Sequence, residues 1–259
     1  MTPLAVPERP ALVQQLTRAG VHGRLFVVDR RCALHELRLP SLREVRAPRT
    51  RGCNALVSPG TAPPGWSLWP RRTTLVAWCE RNRVIVAAPS GPELPMIGGC
   101  APAWRPDGSM TYVRRGSIVQ FPRTGRAVVV RSSSELTPAL GSPVQRVAWL
   151  TSTRFAVVTS QKLGLFAGRR LTRSVRIAPG VNDLRGSPRG TFVVLYTGGE
   201  VRVYDSRLRR LPRFDGDSAL AWSPDERWLA SSDRTQVVLE RGRTRIVLRV
   251  PALDLGWLR

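Results

Sequence analysis

Lysine is almost missing from this sequence: of 41 basic residues only Lys162 is a lysine. Histidine is scarce, at two residues, and there are only 18 carboxylates. Each shortage excludes something. His22 and His35 have no partner set for a metal centre or a nucleophile–histidine triad, and both read as strand or surface histidines. The cysteines contain no C-x-x-C pair, so zinc-ribbon spacing is absent. No run of about 18 apolar residues occurs, so no transmembrane helix is expected. No Gly-rich phosphate loop is present, because Gly198-Gly199 lies between two apolar runs and reads as a hairpin turn. The stretch from Met1 to Pro10 lacks the apolar core of a secretory signal. The missing lysine also qualifies the net charge of +23. Phosphate is neutralised by lysine and arginine alike. Near-exclusive use of arginine therefore carries a mark of GC-rich codon usage and weakens the case for nucleic acid.

What the sequence does have is a repeated phrase. Ala221-Trp222-Ser223-Pro224-Asp225 continues through Glu226-Arg227 into Trp228-Leu229-Ala230. It reads as an apolar strand, a Ser-Pro-Asp turn and a second apolar strand. Ala103-Trp104-Arg105-Pro106-Asp107-Gly108 is a second good copy, and Ser58-Pro59-Gly60 and Ser187-Pro188-Arg189-Gly190 are weaker ones. Trp104, Trp149, Trp222 and Trp257 align at one repeat position, with Val57 and Gly186 in the same slot of the other two units. The intervals run from about 35 to 47 residues, as four-stranded propeller blades require. Recurrence at one position argues for packing between blades rather than a ligand cage.

Two stretches lie outside the pattern. Ala11 to Ala19 has helical spacing and stops at Gly20, which predicts a short N-terminal helix with a glycine cap. Ala252 to Leu258 resembles a first strand with nothing after it, whereas the unit starting at Leu25 lacks a first strand. The last strand is therefore expected to complete the first blade and close the ring. The predicted fold is an all-β, six-bladed β-propeller of four-stranded antiparallel blades. Residues 1–20 form an N-terminal extension and 21–259 a single propeller domain, complete from about residue 20. The two good copies of the repeat resemble those of TolB-like, WD-repeat-like bacterial β-propellers. The resemblance implies the fold; it leaves function open, because propellers serve as scaffolds, receptors and enzymes.

The cysteines carry the sharpest local expectation. Cys32 and Cys53 are 21 positions apart, and so are Cys79 and Cys100. On the blade scheme each pair joins one blade to the next on the same face of the disc. Two disulfides, Cys32–Cys53 and Cys79–Cys100, are predicted, against the alternatives of four separate buried thiols or a zinc site. Disulfides imply an oxidising compartment. They point to an extracytoplasmic protein (periplasmic, cell-surface or secreted) with a signal or anchor upstream of this chain; free thiols would place it in the cytoplasm.

Asp107 and Asp225 read as turn residues. Asp183 and Asp254 fall near innermost strands, where a structural role outweighs cation binding. Trp66, Trp69, Arg71 and Arg72 share an irregular loop and form a candidate partner surface. Paired arginines such as Arg114-Arg115 and Arg169-Arg170 fall in turns and read as solvated rims. No catalytic, metal or cofactor residues are assigned. The expected function is a non-enzymatic, monomeric propeller that binds a protein or a ligand. Two alternatives stand: an arginine-rich module for an anionic partner (nucleic acid, acidic polymer or membrane surface), and a six-bladed hydrolase or lyase.

Overall fold

The computed structural model describes residues 6, 9–45, 58–61, 73–88, 93–121, 127–197, 200–214 and 219–258. Their strands fall into six antiparallel sheets arranged as the blades of a propeller. Blade 1 combines Gly23–Val28, Leu34–Leu39 and Arg43–Val45 with the C-terminal strand Asp254–Leu258 as its innermost member. Blade 2 holds Ser58–Thr61, Thr74–Glu80, Arg83–Ala87 and Leu94–Ile97; blade 3 runs from Cys100–Trp104 out to Val128–Arg131. Blade 4 is Arg146–Trp149, Arg154–Val158, Lys162–Ala167 and Arg170–Arg176. Blade 6 runs from Ala219–Trp222 out to Thr244–Leu248.

Blade 5 departs from the plan. Val181–Gly186, Phe192–Thr197 and Glu200–Asp205 form a three-stranded sheet. The fourth position holds a single bridge, Tyr204 to Arg210, and a 3₁₀ turn at Pro212–Phe214. Asp205 is the local cause. Its Oδ1 accepts the backbone N–H of Arg207 and Arg209 at 2.8 and 2.9 Å, which coils the chain into a turn. Pro212 then cannot donate to a ladder.

Blades pack face to face, so a strand inside a blade is buried on both sides. That is why Val193–Tyr196 and Phe155–Val158 read as continuous apolar runs. Alternate residues serve different neighbours. Leu25 and Val27 join the core shared with blade 6, whereas Phe26 and Val28 join the core shared with blade 2. The described residues form six hydrophobic clusters, one between each pair of adjacent blades.

The ring is closed by hydrogen bonding. Asp254–Leu258 pairs with Gly23–Val28 in the register Val28 to Asp254 and Arg24 to Leu258. Leu253 N–H adds a bond to the Val28 carbonyl at 2.8 Å. Helix α1, Arg9–Arg18, covers the seam: Leu12 and Leu16 are buried in the cluster shared by blades 6 and 1. Gly20 ends it in the left-handed region at φ 68°, where a side chain would be strained.

A second helix was not expected from the sequence. Helix α2, Ser133–Leu140, lies between blades 3 and 4 and buries Leu136 and Leu140 in their shared core. Its start is a capping box. Ser132 Oγ accepts from Glu135 N–H at 3.2 Å and Glu135 Oε2 accepts from Ser132 N–H at 3.0 Å. Gly141, at φ 80°, ends it.

Between blades 2 and 3 there is a covalent tie. Cys79 and Cys100 form a disulfide, with Cα atoms 5.2 Å apart. Cys32 is disulfide-bonded as well. Cys53 lies outside the described residues. No helix among the described residues is long and apolar enough to cross a membrane.

Candidate functional site at the mouth of the central channel

The innermost strands of blades 3, 4 and 6 end on Trp104, Trp149 and Trp222, and that of blade 1 carries Trp257 one residue before its end. Each then leads to the same face of the disc. There they surround a cavity of about 410 Å³ at the mouth of the central channel, completed by Arg105, Pro106, Pro188 and Pro224 from the turns that follow. The volume lies in the range of small-ligand and peptide side-chain sites.

The tryptophans serve two purposes. Trp149, Trp222 and Trp257 are each nearly buried between blades, yet one edge of each lines the cavity. Trp149 Nε1 donates to Thr111 Oγ1 of blade 3 at 2.8 Å. Trp222 stacks on Phe192 of blade 5 with centroids 5.2 Å apart. Trp257 Nε1 donates to the His22 carbonyl at 3.1 Å. The walls of the mouth are thus core residues, fixed before any partner arrives. Both the packing and the lining roles belong to the same side chains, and sequence reasoning had found only the packing.

The turns are set by their own side chains. In Ser223-Pro224-Asp225, Ser223 Oγ donates to Asp225 Oδ1 at 2.6 Å and accepts from Trp228 N–H at 2.9 Å. The serine hydroxyl, and behind it the Arg227 N–H, hold the Asp225 carboxyl below its ordinary range. Asp107 accepts from the Ser109 N–H and hydroxyl at 2.8 and 2.6 Å. Both aspartates are turn-formers, as their sequence context suggested.

Arg105 is the cation at the rim of the cavity. Its guanidinium carbon sits 4.5 Å from the centre of the Trp149 ring, and Nη2 donates to the Ser152 carbonyl at 3.3 Å. Its Nε is buried and has no hydrogen-bond partner among the described residues. Nη1 stands 3.9 Å from Asp107 Oδ2, so the turn's own carboxylate lies beside the cation.

The floor is a closed polar cluster. Arg185, on the innermost strand of blade 5, donates from Nε to Asp183 Oδ2 and from Nη2 to Asp254 Oδ2, each at 2.7 Å. Nη1 donates to the Leu255 carbonyl at 2.6 Å. The side chain therefore reaches past blade 6 to the closing strand of blade 1. Burial opposes its charge, but the Asp254 and Asp183 carboxylates outweigh it and hold Arg185 well above the ordinary arginine range. The guanidinium also lies 4.8 Å from the ring centre of Tyr196. Tyr196 hydroxyl donates to the Leu220 carbonyl of blade 6 at 2.8 Å, and burial pushes its pKa up strongly. Asp183 lines the cavity and Asp254 is buried behind it, and the cation both hold is the protein's own. Sequence reasoning named both acids and missed Arg185.

His35 lies inside blade 1, with Nδ1 2.7 Å from Glu44 Oε1 and Nε2 3.2 Å from Asp29 Oδ2. It is buried on the strand Leu34–Leu39, the strand alternative of the expectation. No group of three or more His, Cys, Asp and Glu side chains suited to a metal ion occurs among the described residues. Trp66, Trp69, Arg71 and Arg72 lie outside the described residues.

No family model and no curated protein matches this sequence. Solved structures do. A chain of the mitotic checkpoint complex superposes with a TM-score of 0.50 at 12% identity, over 86% of this chain and 77% of that one. Hydrazine synthase of Kuenenia stuttgartiensis gives 0.49 at 14% identity, over 81% and 70%. The Cps50 (Swd1) β-propeller domain of Myceliophteria thermophila gives 0.49 at 14%, over 89% and 87%. The likeness to the checkpoint-complex chain is one of fold.

Proposed function

We propose that this chain is a non-enzymatic, monomeric β-propeller that binds a protein partner by admitting an extended segment of it to the channel mouth. The observation that carries the proposal is the cavity itself. Its walls are tryptophans locked into the blade interfaces, and its rim carries the Arg105 guanidinium, fixed over the Trp149 ring and 3.9 Å from the exposed Asp107 carboxylate. Rigid aromatic walls bind apolar side chains at little entropic cost, and one fixed cation selects a carboxylate. An acidic side chain or a free C-terminus flanked by apolar residues fits this chemistry.

The hydrolase or lyase reading has less support. A six-bladed enzyme of that kind needs reactive acids at the channel, and here Asp183 and Asp254 both bond Arg185. We take the protein to be a TolB-like bacterial propeller, one domain over 21–259 with 1–20 as an extension. The Cys79–Cys100 disulfide supports an extracytoplasmic setting, and we retain Cys32–Cys53 as the second bridge. Trp66, Trp69, Arg71 and Arg72 stay in the proposed partner surface. Nucleic acid is not favoured.

Selection of random linear peptides on the wild-type protein, with counter-selection on Arg105→Glu, tests the site. Enriched peptides are expected to carry a carboxylate beside apolar residues and to bind the variant at least about tenfold more weakly. Enrichment that ignores Arg105, in a variant with unchanged thermal unfolding, would rule out the channel mouth.

A further inference from the structure

Blade 4 carries a second surface, at the outer rim and apart from the channel. From Leu136 to Asn182 the sequence contains no aspartate or glutamate, so the whole blade is without a carboxylate. Its outermost strand, Arg170–Arg176, has no partner strand on its outer side among the described residues. Arg170, Arg173 and Arg176 are exposed there, as are Thr172 and Ser174. No hydrogen bond or ion pair among the described residues engages those three arginine side chains.

The strand has a defined shape. Arg173 pairs opposite Leu165 and Leu171 opposite Phe166, so Thr172 is an extra residue at a bulge. Thr172 Oγ1 fixes the bulge by donating to the Leu165 carbonyl at 2.9 Å. Arg170 sits opposite Ala167 and Arg173 opposite Leu165, which turns both to the face shared with Val175. Leu171 and Val175 pack inward against the cores on either side of the blade. The strand is therefore anchored by its apolar residues, while its backbone edge and its arginines are left to solvent.

We infer that this edge is a docking site for an extended acidic peptide segment of a partner protein, which adds to blade 4 as a fifth strand. An open edge offers both N–H donors and carbonyl acceptors. Only another polypeptide backbone answers both. A phosphate chain supplies acceptors alone and would leave the edge carbonyls unmatched. The arginines decide the sign of the occupant. They repel a second copy of the same edge and pair with carboxylates on an incoming strand. No acid of the blade itself competes for them, and the nearby Glu135 of helix α2 pairs with Arg169.

The test uses the intact protein and a fluorescent, end-blocked peptide of alternating Glu and Val, read by anisotropy at low ionic strength. Binding is expected. It should fall about tenfold in the triple variant Arg170→Ser/Arg173→Ser/Arg176→Ser: Arg170 and Arg173 share one face and lose an ion pair each, and Arg176, opposite Lys162 on the other face, contributes through its charge alone. A matched variant, Arg31→Ser/Arg207→Ser/Arg243→Ser, has the same net charge and should bind as the wild type does. The same peptide with alternate amides N-methylated keeps its charge, loses its ladder and should bind about tenfold more weakly. A thymidylate oligonucleotide of equal net charge should bind more weakly than the peptide. Three results would each overturn the inference: equal losses in both triple variants, undiminished binding of the N-methylated peptide, or tighter binding of the oligonucleotide.

Discussion

Arginine occupies two opposite environments in this protein. Arg185, at the floor of the cavity, is largely but not fully buried, with 17% of its side chain exposed, and holds two carboxylates and a carbonyl. Arg170, Arg173 and Arg176, on the rim of blade 4, are exposed, and their blade contains no carboxylate at all. The same side chain is thus a structural brace in one place and an unspent charge in the other. Net charge alone cannot tell these apart, because what matters is the partner set. The largest effect should come from the brace. Removing one partner of a buried ion cluster leaves the others charged and dry. Arg185→Met should therefore cost about 3–5 kcal/mol of stability, measured by urea denaturation. The double variant Arg185→Met/Asp254→Asn should recover part of that loss, since it removes one of the stranded charges. A cost under about 1 kcal/mol for Arg185→Met would make the cluster a surface feature and dissolve the contrast.

The contrast also explains what the sequence could and could not convey. The ring was legible because its marks are local: Trp222 before Ser223-Pro224-Asp225, Trp104 before Arg105-Pro106-Asp107, and a lone strand at 254–258. Each reports strand, turn and repeat position within a few residues. Arg185 was not legible. Its partner Asp254 is 69 positions away and meets it only when the last strand enters blade 1. Until then it is one arginine among many. Helix α2 was overlooked for a different reason. Its capping pair Ser132 and Glu135 and its end at Gly141 stand in the sequence, but eight residues with Pro138 among them give too little apolar periodicity. Among the described residues of blade 5 the Asp205 turn stands where a fourth strand was expected, a short-range preference that overrode the repeat. The channel mouth was half visible: the tryptophans were found as packing, and their second role as walls required the closed ring.

Glu36 sharpens the comparison from the acidic side. It is 2% exposed on the strand Leu34–Leu39, and its nearest cation, Arg24 Nη1, stands 3.7 Å away. Burial raises its pKa, and Arg24 and Arg38 only partly offset this. Arg185 has carboxylates enough to secure its charge; Glu36 has less cationic support than its burial demands. An acid whose folded pKa is raised holds its proton in the folded state after the unfolded chain has released its own. Its contribution to stability therefore declines as pH rises from about 4.3, the ordinary glutamate value, through the raised folded value. Glu36→Gln should be at least as stable as the wild type at about pH 7.5. Its advantage should shrink as pH is lowered through the raised folded value toward about 4.3, as the wild-type carboxyl regains its proton. A Gln variant less stable than the wild type at the higher pH would mean that the Arg24 pair outweighs burial.

The rim arginines should show the smallest effect on folding, and that small value is what separates them from Arg185. Their side chains make no contact whose loss would expose a buried group, and like charges along one strand repel mildly. Each of Arg170→Ser, Arg173→Ser and Arg176→Ser should change stability by no more than about 0.5 kcal/mol. The triple variant should be unchanged or slightly more stable at low ionic strength, with the gain fading as salt screens the repulsion. Urea midpoints at two salt concentrations measure both. A triple variant destabilised as much as Arg185→Met would show that these arginines brace the blade. The edge would then be part of the architecture, and the distinction between a spent and an unspent arginine would fail at the place where it is drawn most sharply.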